Sequence, residues 1–307
     1  MEYEVFLGKI CAGIVLYEPD LGKLCRNIEA LLPQVDKILL VDNASHNIGE
    51  VEAAVNGYPD KDKIEIIRNS ENRGIAAGLN QILAFAEERG YEWYLSMDQD
   101  SCCSENLIKE YHKALQEEDA AILTPYILNN GKETIEEYQQ KSLPFTERIS
   151  QPVDCITSAC LNQVSAVKAV GAYDEKLFID CVDVDLNIRL MKAGYQILRV
   201  NTAYLVQYMG EGKPVKAFIA LYKLTGKNIF KRLRYTPVYG NFRLYYIARN
   251  SRYMFLKYGE AAGRRMSKNW MRFQFVYYFL TYPLKTNRIA MVKTIRKGIA
   301  DAKRMEL

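Results

Sequence analysis

The sequence predicts an α/β fold, a doubly wound and mostly parallel sheet followed by a helical C-terminal segment. Three observations carry that expectation. Short apolar runs alternate with amphipathic stretches over residues 10–97, the pattern of buried strands joined by helices. Polar, acid-rich clusters follow successive apolar runs, where a parallel sheet binds ligands beyond the carboxyl ends of its strands. Charge and aromatic content then change abruptly past residue 212.

Taken in order, residues 10–16 (ICAGIVL) read as the first strand, and 20–32 as a helix with Leu21, Leu24, Cys25, Ile28, Leu31 and Leu32 on one face. Residues 37–41 (KILLV) and 64–67 are further buried strands. Residues 74–88 form a helix with Ile75, Leu79, Ile82, Leu83 and Ala86 inward, and 93–97 a fourth strand with Trp93 in the core. Beyond it the rhythm loosens into a helix at 105–116, a strand at 120–123 and a polar, exposed excursion at 129–150. A strand of small residues at 155–161, a helix at 163–170, a turn at Gly171, a helix at 183–193 and a strand at 195–200 complete the domain. Gly210 and Gly212 mark its end, giving one domain at 1–212 and a mostly helical segment at 213–307.

A content of 49% apolar and 25% charged residues excludes wholesale disorder. The net charge of +4 hides a split: residues 1–212 carry 19 Lys and Arg against 34 Asp and Glu, and residues 213–307 carry 22 against 3. The later segment also holds 18 of the 35 aromatic residues. Cations with rings suit a lipid interface or single-stranded nucleic acid, so an anionic partner is expected. All seven cysteines precede residue 182 without a C-x-x-C, and only His46 and His112 could assist them. Neither a zinc site nor a disulfide framework is expected, and a reduced cytosol fits. The charged residues 1–10 do not read as a signal peptide. The longest apolar run, 273–284, contains Gln274, Thr281 and Pro283 and is too short and polar to span about 30 Å of hydrocarbon.

Three strands end in chemistry. The first runs into Tyr17-Glu18-Pro19, the second into Asp42-Asn43-Ala44-Ser45, and the fourth into Asp98-Gln99-Asp100-Ser101. Singly, each has a structural explanation, and Asp42-Asn43 is good turn chemistry. On successive strands of one sheet they make a nucleotide-diphosphate site. A D-x-D at a strand end turns two hard oxygen ligands toward one spot, which suits Mg²⁺ or Mn²⁺ bridging a diphosphate and neutralising it as it departs.

VDNAS, NSENRGIAAGLN (residues 69–80), MDQDS and FIDCVDVDLNIRLMKAGY (residues 178–195) occur in that order. The series resembles the family 2 glycosyltransferases, and within them the rhamnosyltransferase-like branch, over residues 10–210. The resemblance implies a GT-A, Rossmann-like fold. It implies Asp42 on the base, Asp98 on the ribose or sugar, Asp100 on the metal and Arg73 near the diphosphate. Tyr17, Glu18, Asn43 and Ser158 complete the donor side, with Thr157-Ser158-Ala159 standing for a T-S-G stretch beside the donor sugar. Structural roles compete: Asn72 as a cap for the helix starting near Gly74, and Gly78 as a close-packing position. Gly171-Ala172-Tyr173-Asp174-Glu175 resembles the family's turn before the acceptor site.

An inverting transfer needs a base for the acceptor hydroxyl. Asp180, Asp183 and Asp185 compete for that role. Asp185 precedes Arg189 by four positions, the spacing of a surface ion pair. Asp183 aligns with the second acid of the family's E-D pair and is the chosen base, with Val182 where the family has Glu. Gln207 stands where many relatives carry a metal-binding His. The expected enzyme is a metal-dependent, inverting hexosyltransferase using dTDP-rhamnose or a UDP-hexose and a polyprenyl-diphosphate-linked glycan acceptor. Its place would be cytoplasmic, peripheral on the anionic inner face of the cell membrane. Two other classes use less of the sequence. A nucleic-acid-binding protein leaves the acidic clusters unused, and they would repel a phosphate backbone. A non-catalytic nucleotide-sugar-binding protein rests only on Val182 and Gln207.

Overall fold

The apolar runs of the first unit (Met1–Tyr208) become strands β1 (Ile10–Leu16), β2 (Lys37–Asp42), β3 (Ile64–Arg68) and β4 (Trp93–Asp98) in the computed structural model, which describes residues 8–129, 133–207 and 212–305. Every residue of β1 is buried, as in a parallel strand covered on both faces. Between these strands run α1 (Leu21–Leu31), α2 (Ile48–Asn56) and α3 (Gly74–Glu88). Asp20 starts α1 by accepting from the Lys23 N–H at 2.9 Å. Two glycines let α3 lie close on β1. A Cβ on Gly78 would stand 2.7 Å from Val15 Cγ1, and one on Gly13 would overlap the Ile82 side chain.

The unit continues through β5 (Cys102–Cys103), α4 (Leu107–Glu117), β6 (Ile122–Asn129), α5 (Ile135–Gln139) and β7 (Thr146–Arg148). It closes with β8 (Cys160–Gln163), α6 (Val164–Ala169), α7 (Val182–Lys192) and β9 (Ile197–Gln207). The sheet order is β3-β2-β1-β4-β8-β6-β9-β5, with β7 also on β9. Strands β3, β2, β1 and β4 pair in parallel, β8 runs against both β4 and β6, and β9 is parallel to β6. Strand order therefore reverses between β1 and β4, the switch point at which such sheets open a crevice.

Several expected elements change shape. The strand expected at 155–161 is confined to Cys160–Gln163, because Ala159 is left-handed (φ 58°) and the preceding carbonyls and hydroxyls bond to β4. The strands expected at 120–123 and 195–200 extend to Asn129 and Gln207, pairing across an irregularity between Pro125 and Tyr126. Residues 129–150 are more than an excursion. There Thr134 and Glu137 cap α5 reciprocally, Tyr138 is buried, and β7 joins β9; residues 130–132 lie outside the described set, as do 1–7 and Gly210. Trp93 is buried in the core, and all seven cysteines are free thiols.

The second unit (Met209–Leu307) contains β10 (Lys213–Pro214), α8 (Lys216–Thr225), α9 (Asn228–Arg232) and β11 (Tyr235–Thr236), with β10 antiparallel to β11. Helices α10 (Asn241–Tyr258), α11 (Lys268–Thr281) and α12 (Arg288–Ala302) enclose a small core of Leu244, Ala248, Tyr278, Tyr282, Met291 and Ile295. Gly298 brings α12 against α10, since a Cβ there would lie 2.5 Å from the Tyr245 carbonyl oxygen. No helix among the described residues is long and apolar enough to cross a membrane.

Candidate active site

The ends of β1 and β4 are stitched together across the switch point. The Tyr17 N–H donates to Gln99 Oε1 at 2.8 Å, and Gln99 Nε2 donates to the Tyr17 carbonyl at 3.1 Å. This leaves the Tyr17 ring half exposed at the crevice. Glu18 is left-handed (φ 46°), and its N–H donates to Ser45 Oγ at 2.9 Å. Its carboxylate accepts from the His46 N–H at 3.0 Å and meets His46 Nδ1 at 2.5 Å; these backbone and ring contacts hold it below the usual carboxylate range. Asp42 is buried and receives the Ser45 N–H on both oxygens at 3.2 Å, so the expected turn chemistry is present. Asn43, also buried, donates to the Gly74 carbonyl at 3.1 Å and accepts from Asn69 at 3.0 Å. The β1 and β2 termini and the start of α3 thus form one hydrogen-bonded rim.

Asp98 closes β4 with its backbone gripped from two sides. Its N–H donates to Ser158 Oγ at 3.0 Å, and its carbonyl accepts from Asn27 Nδ2 at 2.7 Å. Asp100 is half buried in the turn that leads to β5. Antiparallel pairing sets Cys102 of β5 opposite Val206 of β9, and Gln207 is the last residue of that strand. The Ser101 hydroxyl is buried without a hydrogen-bond partner among the described residues. No group of three or more His, Cys, Asp or Glu residues able to hold a metal occurs among the described residues. Asp98 and Asp100 supply hard carboxylate oxygens of the kind that suits Mg²⁺ or Mn²⁺, ions commonly held by one or two carboxylates together with substrate phosphates.

The segment before α7 is fixed to the start of α3. Gly74 has φ +84°, a Cβ there would lie 2.5 Å from the Phe178 carbonyl oxygen, and the Ile75 N–H donates to that oxygen at 2.8 Å. Asp180 and Cys181 are both left-handed (φ 66° and 68°), making the sharp turn from which α7 emerges. Asp183 lies in the first turn of α7, half buried, with Oδ1 accepting from the Val184 N–H at 2.8 Å. It lines a small cavity with Thr157, Asn162 and Tyr173. Burial pushes its carboxyl up to about 6, opposed by the Val184 N–H and reinforced by the charge of Asp180.

Asp185 departs from the expected surface ion pair: it is fully buried. Arg189 donates from Nε to its Oδ2 at 2.8 Å, its Nη2 lies 2.7 Å from the same oxygen as an ion pair, and Nη1 donates to the Val170 carbonyl at 2.5 Å. The pair clamps α7 to the end of α6. Arg73 is half exposed at the start of α3, 3.6 Å from Glu175, while Asn72 caps the Gly74 N–H at 2.9 Å. Motif reading passed over three residues that hold the rim: Asn27, Gln99 and Asn80. Asn80 bonds both the N–H and carbonyl of Tyr173, at 2.9 and 3.0 Å, fixing the 171–175 turn on α3. Gln99 and Asn80 lie within the motifs at 97–101 and 69–80, whereas nothing local singles out Asn27.

Residues 15–167 match the family model described as Glycosyl transferase family 2. The dTDP-rhamnosyl transferase RfbF of Shigella flexneri is 26% identical over 256 residues, 79% of this chain and 78% of that protein. Among solved structures, the mannosyltransferase PcManGT from Pyrobaculum calidifontis, in complex with GDP-Man and Mn²⁺, aligns over 99% of this chain and 77% of its own, with TM-score 0.57 and 12% identity. S. aureus TarS 1-349 aligns over 96% and 91%, with TM-score 0.51 and 12% identity. GalNAc-T7 with UDP, GalNAc and Mn²⁺ aligns over 89% of this chain and 55% of its own, with TM-score 0.50 and 12% identity. These neighbours share the GT-A architecture of a curled mixed sheet, and the chain belongs, through its first unit, to glycosyl transferase family 2.

Proposed function

We propose that this glycosyltransferase is an inverting, divalent-metal-assisted enzyme that moves rhamnose from dTDP-rhamnose, or a hexose from a UDP-sugar, to a glycan carried on polyprenyl diphosphate. The observation that carries the reading is the stitched switch point. Tyr17–Gln99 bonding sets Glu18 and Asp42 on one side of a crevice and Asp98 and Asp100 on the other. Tyr17, Glu18, Asp42 and Asn43 take the nucleoside, Asp98 and Ser158 the sugar side, and Arg73 the diphosphate. Asp100, with Asp98 and Gln207, would hold Mg²⁺ or Mn²⁺, which stabilises charge on the departing diphosphate. Asp183 takes the proton from the acceptor hydroxyl as that oxygen attacks the anomeric carbon and the bond to the diphosphate breaks. A carboxyl raised to about 6 is a stronger base than an ordinary one yet still ionised at neutral pH. Asp180 and Asp185 flank the acceptor side, Asp185 through its grip on Arg189. The donor follows the name of the Shigella relative, and the metal follows the two Mn²⁺-bound neighbours. The cationic second unit holds the enzyme on the anionic cytoplasmic face of the cell membrane, where a polyprenyl-linked acceptor resides.

Thermal denaturation with candidate donors tests this reading, because a ligand bound only by the native state at about 100 times its Kd adds about 2.7 kcal/mol. The expected result is a rise in Tm with dTDP-rhamnose and Mn²⁺ that EDTA reverses and Asp100→Ala abolishes. A response to UDP-hexoses alone would reassign the donor. Silence toward every nucleotide sugar would sink the proposal.

A further inference from the structure

Helix α11 is apolar on both sides, and only one side is used by its own unit. Met271 and Tyr278 are buried, and Phe275 and Tyr277 pack on the small core. The aromatic residues of α11 are therefore divided, with Tyr278, Phe275 and Tyr277 turned inward. On the opposite side Phe273, Val276, Phe279 and Leu280 are exposed, Val276 and Leu280 at 58% and 70%. These positions are three, four and seven residues apart and so form one continuous stripe. Leu284, in the turn that follows, is 94% exposed, and Ile289, in the first turn of α12, is 72% exposed. Exposed Arg272 and Lys285 border the stripe.

From this placement we infer that the outward face of α11, together with Leu284 and Ile289, is the surface that docks on an anionic lipid bilayer, with the helix lying in the plane of the headgroups. The inference rests on the membrane reading above and names the face and the contacts. Charge decides the occupant. A second copy would bring one segment of 22 cations and 3 acids against another, whereas an anionic headgroup layer complements it. Aliphatic side chains flanked by Lys and Arg enter the headgroup and acyl boundary to a depth of about 5–10 Å. The docking contacts are thus mainly Val276, Leu280, Leu284 and Ile289 with Phe273 and Phe279.

The test is sedimentation of the full chain with phosphatidylcholine vesicles, with and without phosphatidylglycerol. The probes are Val276→Glu/Leu280→Glu and a charge-matched control, Lys303→Glu, at the far end of α12. The parent should bind the anionic vesicles far more tightly than the neutral ones; the double variant should bind the anionic vesicles at least about tenfold more weakly, and the control within about threefold of the parent. Donor-induced Tm shifts should match in all three. If the double variant misfolds, Val276→Ser/Leu280→Ser replaces it, with the same ordering expected. A parent that binds no vesicles defeats the membrane reading itself. Equal binding by parent and double variant leaves that reading standing and overturns the α11 assignment. A parent dimer that the double variant converts to monomer, without change in lipid binding, makes the face a protein interface and also overturns the assignment.

Discussion

Asp183 shows how one burial sets both chemistry and stability. Its carboxyl is raised from 3.8 to about 6, so the folded chain holds the proton more tightly than the unfolded chain does. The associated stabilisation is fully present below the unfolded value, near pH 4, and is lost as pH rises through about 6. Asp183→Asn removes the cost of the buried charge while keeping an acceptor for the Val184 N–H. The variant should be more stable than the parent above pH 6 by on the order of 1–3 kcal/mol, with the difference vanishing below about pH 4. Its turnover should fall by about a hundredfold or more with donor affinity little changed, and the parent's kcat/KM should decline as pH drops below about 6. Denaturation curves and kinetics across that range check both signs. If Asp180→Asn or Asp185→Asn gives the kinetic signature instead, the base is misassigned. In the sequence, Asp183 was singled out by the family resemblance, as the match to the second acid of the E-D pair. The sequence left Asp185 open, because an i,i+4 acid–arginine pair looks the same whether it is solvated or buried.

At the scale of elements, α3 joins the rim at the ends of β1 and β2 to the turn that precedes α7, and two glycines make the junction. Gly78 faces the stiff, β-branched Val15, while Gly74 combines φ +84° with the backbone oxygen of Phe178. Gly78→Ala should cost about 1–3 kcal/mol through overpacking, partly offset by about 1 kcal/mol of helix propensity. Gly74→Ala adds left-handed strain of about 1–2 kcal/mol and meets backbone rather than side chain. It should therefore destabilise more, and it alone should lower turnover by displacing residues 178–183. Denaturant midpoints and steady-state rates distinguish the two variants, and equal effects would break the proposed coupling. Ala159 reports the same physics. It occupies a left-handed position (φ 58°) where the resembling stretch carries glycine. Buried parallel strands and long amphipathic helices were legible in the sequence because burial on both faces writes continuous apolar runs. The short strands β5 and β7 and the capped α5 were not, since pairing with β9 holds the strands and the buried Tyr138, donating to the Asn201 carbonyl, anchors the helix.

At the scale of the whole chain, the charge split separates a site-bearing acidic unit from a cationic one. Lys and Arg near an anionic membrane contribute about 1 kcal/mol each, over a Debye length of about 10 Å at 0.1 M salt and about 3 Å at 1 M. Binding of the full chain to anionic vesicles should therefore weaken steeply as NaCl rises over that range, leaving a residue from apolar contact that salt does not screen. Cosedimentation at graded salt measures both parts; binding indifferent to salt would remove the cations from the account.

The sequence by itself determined the alternating fold, the acidic strand ends, the family resemblance and the basic, aromatic second segment. Each is written in local pattern: apolar period, residue type at a strand end, net charge over a span. Tertiary structure alone decided which polar side chains hold the site together. Gln99 meets Tyr17, Ser158 meets Asp98, Asn80 meets Tyr173, and Gly74 meets Phe178 across separations of 60 to 104 positions. It also decided which aromatic residues of α11 are core and which are surface, because a helix apolar all round carries no local mark of the side its neighbours will cover.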